Sequence, residues 1–230
     1  MSTPLGKIPK PSAERFKKDK KLYLVPLFLI SPESPPDLQR LVNRYWAEAQ
    51  DHIGRLEASL GSVSHIYHET VYLSDEDGRK QVEEINPKAY SMINSRSEAG
   101  AKLEATEDRA LLEESADWQR CLSMGLISQK ASTTSLQAYM EVTGKRYEHI
   151  AARISETLQE SESAILIIGD NHRVQFPGDI EVFYISPPAL NELRRWSDDR
   201  MREQAQQEGD QVPPVAEASV PDAEEEQPQE

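Results

Sequence analysis

The sequence has little cysteine and no long hydrophobic run. Its single cysteine, Cys121, has no second cysteine in the chain with which to form a disulfide, and the first residues carry lysine and proline where a secretory signal would be apolar. The longest apolar run, residues 22–30, is far shorter than the roughly 20 residues that a membrane-spanning helix needs. We therefore expect a cytoplasmic protein without a membrane partner.

Basic residues are absent from the end of the chain. No Lys or Arg follows Arg202, whereas seven of them crowd residues 7–21, and 40 acidic against 26 basic residues give a net charge of −14. An acidic protein repels phosphate backbones, so nucleic acid is not an expected partner except through residues 1–21. A factor that binds RNA or the ribosome through this basic arm is one functional alternative.

The familiar catalytic motifs are also missing. The sequence contains no phosphate loop ending in Gly-Lys-Ser or Gly-Lys-Thr, no Gly-x-Ser-x-Gly elbow, no Cys-x-x-Cys pair and no His-Glu-x-x-His. The sequence thus leaves open whether the protein is an enzyme.

Hydrophobic periodicity predicts strand, helix and strand in order at the start of the domain. Apolar residues at both parities in residues 21–30 are typical of a strand covered on both faces, although Pro26 lacks an amide donor and favours an edge position or a bulge. Apolar residues then recur at three- and four-residue spacing from Pro36 to Gly61, and glycine is typical of a helix C-terminus. With a second strand in residues 62–73, this is a β-α-β unit with parallel strands.

The remaining pattern predicts several helices, two more strands and a closing helix. Residues 75–124 contain short amphipathic segments, residues 164–168 and 180–185 are typical of strands, and a proline pair at 187–188 introduces the last helix. We predict a three-layer α/β domain with a mixed, roughly four-stranded sheet and a helical insertion between the second and third strands.

Composition divides the chain into three segments. We predict a basic flexible arm at residues 1–20, the α/β domain at residues 21–206 and an acidic disordered tail at residues 207–230, where Gln, Glu and Pro dominate.

A second long helix is predicted at residues 132–160. Its stripe alternates four- and three-residue steps and consists of Leu136, Met140, Thr143, Tyr147, Ile150, Ile154 and Leu158. This spacing is typical of packing against the protein's own sheet or against the first long helix, and it also suits a coiled-coil seam, so a homodimer through this helix is an alternative.

The segment after the third predicted strand is the main candidate for chemistry. Asp170 could ligate a metal or orient His172, His172 could act as a general base, and Arg173 could hold an anionic group. We predict these three as the catalytic residues if the chain is an enzyme. The alternative is a tight turn, because Gly169, Asp170 and Asn171 are residue types that turns favour.

A metal site would need ligands from a neighbouring strand. On the second predicted strand, His65 and Glu69 lie on one face, whereas His68 lies on the other. The predicted metal ligands are therefore His65, Glu69, Asp170 and His172.

These observations leave two main functional hypotheses. The first is a non-catalytic binding or regulatory protein, with an unknown protein partner or small ligand and no cofactor. The alternative is a metal-dependent hydrolase that uses Asp170 and His172 with a divalent metal, and in which Arg173 binds an acidic substrate.

Overall fold

The computed structural model describes residues 16–210, with side chains up to residue 203. The chain falls into two units, one that runs to Leu193 and one that begins at Arg194. The elements, in chain order, are β1 (Lys20–Pro26), α1 (Pro36–Leu60), β2 (Val63–His68), α2 (Asp75–Ile85), α3 (Pro87–Glu98), β3 (Lys102–Leu103), α4 (Arg109–Ser123), α5 (Gln129–Thr157), β4 (Ser163–Ile168), β5 (Ile180–Tyr184) and α6 (Pro188–Asp210).

The sheet has five strands in the order β3-β2-β4-β1-β5, and every pair of neighbours is parallel. The α/β class is confirmed, but the predicted mixed, four-stranded sheet is wrong. The fifth strand is β3, whose two residues are too short to produce a hydrophobic alternation. The strands are all parallel because the loop of residues 169–179 carries the chain across β1, so that β5 runs in the same direction as β4.

The edge position predicted from Pro26 is also wrong. β1 pairs with β4 on one side and with β5 on the other, so it is an internal strand. Pro26 is tolerated because it is the last residue of β1, and the amide after it, from Leu27, donates to the Ile168 carbonyl at 2.8 Å.

Helices cover both faces of the sheet, with the insertion between β2 and β4 divided between them. Tyr23 and Val25 of β1 point to a face covered by α1, α3 and the start of α6, which we call the α1 face. Leu22 and Leu24 point to the opposite face, where they pack with Ile150 and Ile154 of α5; we call this the α5 face. Strands buried on both faces explain why their sequences are continuously apolar.

The first long helix has the predicted bounds. α1 buries one stripe of its surface, and it ends where Gly61 takes a φ of 102° and donates its amide to the Glu57 carbonyl at 3.0 Å. Only glycine adopts this backbone conformation without steric cost.

The second long helix differs from its predicted stripe. The buried residues of α5 include Val142, Arg146 and Ile150, at steps of four, whereas Leu136 and Met140 are 48% and 58% exposed. α5 packs against α4, and the residues of α5 that pack with the sheet lie in its carboxyl-terminal half. The stripe therefore shifts along the helix, and the homodimer through residues 132–160 stays a prediction.

The start of the domain is anchored to β5 and its loop. Phe16 packs edge-on against Phe183 with ring centroids 5.5 Å apart, and the Lys20 ammonium lies 2.9 Å from Asp179. The rest of the predicted arm and most of the predicted tail, residues 1–15 and 211–230, lie outside the described residues.

The described helices include none that is long and apolar enough to cross a membrane.

In the second unit, the Arg200 guanidinium lies over the Trp196 ring at 5.4 Å and pairs with Glu203 at 2.9 Å.

A fully buried histidine, His68, links β2 to α3. Its Nδ1 donates to the Glu69 carbonyl, and its Nε2 accepts from the Asn86 amide at 3.2 Å. The Asn86 side chain in turn accepts from the Ala89 amide at 3.3 Å, at the start of α3. Burial lowers the pKa of His68 from 6.5 to about 4, against a smaller opposing effect of its bond to Glu69. His68 is therefore neutral in the folded protein.

We predict that His68 makes the protein sensitive to mild acid. As the pH falls below 6.5, the unfolded chain takes up a proton that the folded chain does not bind until about pH 4. Wild type should lose about 2 kcal/mol of unfolding free energy between pH 7 and pH 5 through this residue, a loss absent from His68→Gln. Urea unfolding of both proteins across this range measures the difference, and parallel pH profiles would contradict the assignment.

Candidate functional site

At the carboxyl edge of the parallel sheet, the connection that follows β4 leaves on a different face from its neighbours. The connections that follow β1 and β2 lead to helices on the α1 face. The connection after β4 turns to the α5 face, where Val174 and Phe176 pack with the apolar residues of α5. In parallel sheets, the crevice between strands whose connections leave on opposite faces is where ligands bind.

Glu69 bridges β2 and β4 at this edge. Its Oε2 accepts from the Gly169 amide at 2.7 Å, directly after β4. Burial raises the pKa of the Glu69 carboxyl, and the Gly169 amide and the Arg146 charge oppose this shift. A Cβ atom at position 169 would lie 3.3 Å from the same oxygen, so a side chain there would crowd this contact.

Arg146 connects α5 to the same edge. Its guanidinium forms two hydrogen bonds to Glu107, one of them at 3.1 Å, and reaches Glu69 at 3.4 Å and the Ser115 hydroxyl of α4 at 3.3 Å. The Glu107 side chain is completely buried, and the Arg146 side chain is 9% exposed. Although burial opposes charging, the bonds to Glu107 raise the pKa of Arg146. The charged guanidinium thus holds α5, α4, the loop after β3 and Glu69 together.

Thr70 adopts a strained backbone beside this cluster. Its φ is 77°, which is unfavourable for a β-branched residue, and its buried hydroxyl oxygen has no hydrogen-bond partner in the described residues. Its amide lies 3.4 Å from Glu107. Strained backbone of this kind is concentrated at functional sites, which supports the carboxyl edge as the place to look for one.

A groove of about 790 Å³ lies on the α5 face, between α5 and the β4–β5 loop. We call it the α5 groove. Its α5 wall is formed by Tyr139, Met140, Thr143, Gly144, Tyr147, Glu148 and Ala151, and its loop wall by Asn171, Arg173 and Gln175. The groove adjoins the ion cluster, since the pKa of Tyr147 is raised first by burial and also by the charge of Glu69.

Gly144 contributes no side chain to the wall of the α5 groove. It lies inside α5, and a Cβ atom built on it would meet no atom within 4 Å beyond the adjoining helix backbone. Its φ is not positive, so the backbone does not require glycine there. Glycine inside a helix costs about 1 kcal/mol relative to alanine, and neither backbone conformation nor packing explains it here.

The three predicted catalytic residues make different contacts in the structure. Asp170 accepts from the Tyr184 hydroxyl at 2.6 Å, and the His172 Nδ1 accepts from the Val174 amide at 3.2 Å within the turn. Burial lowers the pKa of His172, partly offset by the charge of Asp170. Of the three predicted residues, Arg173 alone lines the α5 groove.

The predicted metal ligands are also separated. His65 lies on the same face as Tyr67 but at the opposite end of β2 from Glu69, and it pairs with Glu104 at 2.8 Å and Glu162 at 3.3 Å. Glu69 instead contacts Gly169 and Arg146. Within residues 16–203, no group of three or more His, Cys, Asp and Glu side chains is arranged to hold a metal ion.

Sequence reasoning named Glu69 and Arg173 but missed the two other residues of the ion cluster. Glu107 and Arg146 are far apart in the chain, and no motif marks them. The sequence does contain one indication for Arg146: it lies four residues from each of the apolar residues Val142 and Ile150, and so on the same face of α5. An arginine on an apolar helix face predicts a buried ion pair. The glycine two residues earlier, Gly144, lines the groove.

We predict that removing Arg146 destabilises the protein by about 3–5 kcal/mol, because Glu107 would remain buried without a counter-charge. Arg146→Gln should show this loss in urea unfolding, whereas Arg153→Gln, which breaks a partly exposed pairing on the same helix, should cost less than about 1 kcal/mol. The double variant Arg146→Met/Glu107→Leu should recover most of the loss. Equal costs for the two arginine variants would show that the buried pairing is not important.

No family model, curated protein or solved structure matches this chain.

Proposed function

We propose that the protein is a non-catalytic binding protein whose ligand site is the α5 groove, and that the ligand is a small molecule with an apolar body. The observation that carries this proposal is Gly144, a helix-interior glycine with free space around it on the wall of the groove. A side chain at position 144 would extend into the groove, so glycine leaves this part of its wall clear.

The size and position of the α5 groove support this proposal. Ligand pockets of drug-sized molecules range from about 300 to 1,000 Å³, and the groove lies within this range at about 790 Å³. It also adjoins the carboxyl end of β4, where α/β proteins bind ligands.

The composition of the groove wall supports an apolar ligand body. Tyr139 and Tyr147 lie about two helical turns apart on α5, with Met140 and Ala151 on the adjoining surface. Aromatic rings provide large contact surfaces at a low cost in conformational entropy, and methionine adapts to the shape of a ligand.

The other hypotheses remain proposals, and fewer observations support them. The metal-dependent hydrolase requires His65, Glu69, Asp170 and His172 to converge, and their contacts lie in three separate places. The RNA-binding arm lies mostly outside the described residues. The cytoplasm remains the proposed location, and a protein partner or a homodimer remains a second kind of proposal.

Binding of N-phenyl-1-naphthylamine, a neutral probe that fluoresces in apolar surroundings, tests the α5 groove. We expect saturable binding at one site of the wild-type protein. Gly144→Leu should fill the groove and weaken probe binding at least about 10-fold, while increasing the unfolding free energy by about 0.5–1 kcal/mol through helix propensity.

Gly54→Leu is the matched control. Gly54 also lies at an exposed position inside a long helix, α1, with no atom within 4 Å of a built Cβ beyond the adjoining helix backbone. It lines a separate cavity of about 720 Å³ beside α3, so the variant also tests whether the probe binds there instead. This variant should gain similar stability and leave probe binding unchanged. If both leucine variants bind the probe as wild type does, the α5 groove is not the site.

A further inference from the structure

We infer that the ligand of the α5 groove carries an anionic group, which Arg173 binds while the apolar body lies against the tyrosines of α5. This inference rests on the proposed function and adds the chemical class of the ligand to it. It assigns binding, not catalysis, to Arg173.

Arg173 is the one cation among the described residues that line the α5 groove. Its guanidinium has no hydrogen bond or ion pair to another described residue, and its only contact of this kind is through its carbonyl, which accepts from Gln175 at 3.4 Å. In a chain with a net charge of −14, carboxylates to pair with an arginine are plentiful, yet none of those in residues 16–203 pairs with this one.

Neighbouring cations are already neutralised. Arg146 is held by Glu107 and Glu69, and Lys145, which precedes it, lies 2.6 Å from Glu141. Arg153, two turns further along α5, pairs with Glu104 and Glu156. Within the described part of the chain, an anion that enters the groove therefore meets a single available positive charge, on the loop wall.

The groups around Arg173 suit an oxyanion. A guanidinium presents parallel N–H donors that match the two oxygens of a carboxylate or the oxygens of a sulfonate. Asn171 and Gln175 add amide groups on the same wall. Glu148 is the one carboxylate on the described lining, and its charge acts partly on Lys145, whose pKa is raised by Glu141 first and also by Glu114 and Glu148.

A matched pair of probes tests the charge of the ligand. 8-Anilino-1-naphthalenesulfonate has the aromatic skeleton of N-phenyl-1-naphthylamine with a sulfonate added. We expect wild type to bind the sulfonate about 5-fold more tightly at low salt, a preference that falls below about 2-fold at about 0.5 M NaCl, because salt screens an exposed charge.

Arg173→Gln should remove the preference for the sulfonate, so that the ratio of the two affinities falls from about 5-fold to about 1-fold, because the loss of one exposed charge acts mainly on a charged ligand. Arg120→Gln, which removes an exposed cation of α4 that pairs with Asp117, is the control for net charge and should keep the preference. Circular dichroism checks that both variants are folded.

The outcomes separate this inference from the proposed function. If the neutral probe binds in a Gly144-dependent way but the sulfonate has no advantage, or if Arg173→Gln keeps the advantage, the anionic ligand is wrong and the groove stands. If neither probe depends on Gly144, both proposals are wrong.

Discussion

The buried ion cluster of Arg146, Glu107 and Glu69 is the interaction on which the carboxyl edge of the sheet depends. One guanidinium satisfies a completely buried carboxylate and reaches a second carboxylate that also binds the Gly169 amide. Separating these charges would leave each of them buried without a partner in a medium of low dielectric, which costs free energy. The elements that carry the charges are therefore held in fixed positions relative to one another. The cluster therefore fixes α5 against the ends of β2 and β4.

The α5 groove follows from that placement. Because Arg146 holds α5 close to the edge and the loop after β4 turns to the same face, the two form facing walls. The groove is open because Gly144 contributes no side chain to its wall. The same helix thus carries a strongly stabilised anchor and, two residues before it, a position whose glycine makes the helix weaker than an alanine would.

Local patterns predicted the elements better than their arrangement. The bounds of α1 agree with the sequence because a buried stripe, two prolines and Gly61 act within one segment. The same reasoning assigned Leu136 and Met140 of α5 to a packed stripe, yet both are exposed, since the spacing of apolar residues does not say how far along a helix its partner extends. β3 escaped notice because pairing with β2, not its own two residues, makes it a strand.

The sequence by itself determined the α/β class, the order of the main strands and helices, and the faces on which His65, His68 and Glu69 lie, because each depends on periodicity within a short segment. Only the tertiary structure decided that the sheet is parallel throughout, that Glu107 and Arg146 meet, and that Arg173 lines the α5 groove while Asp170 and His172 do not line it. These features depend on the path of the loop after β4 and on contacts between residues far apart in the chain, and local spacing carries no information about either.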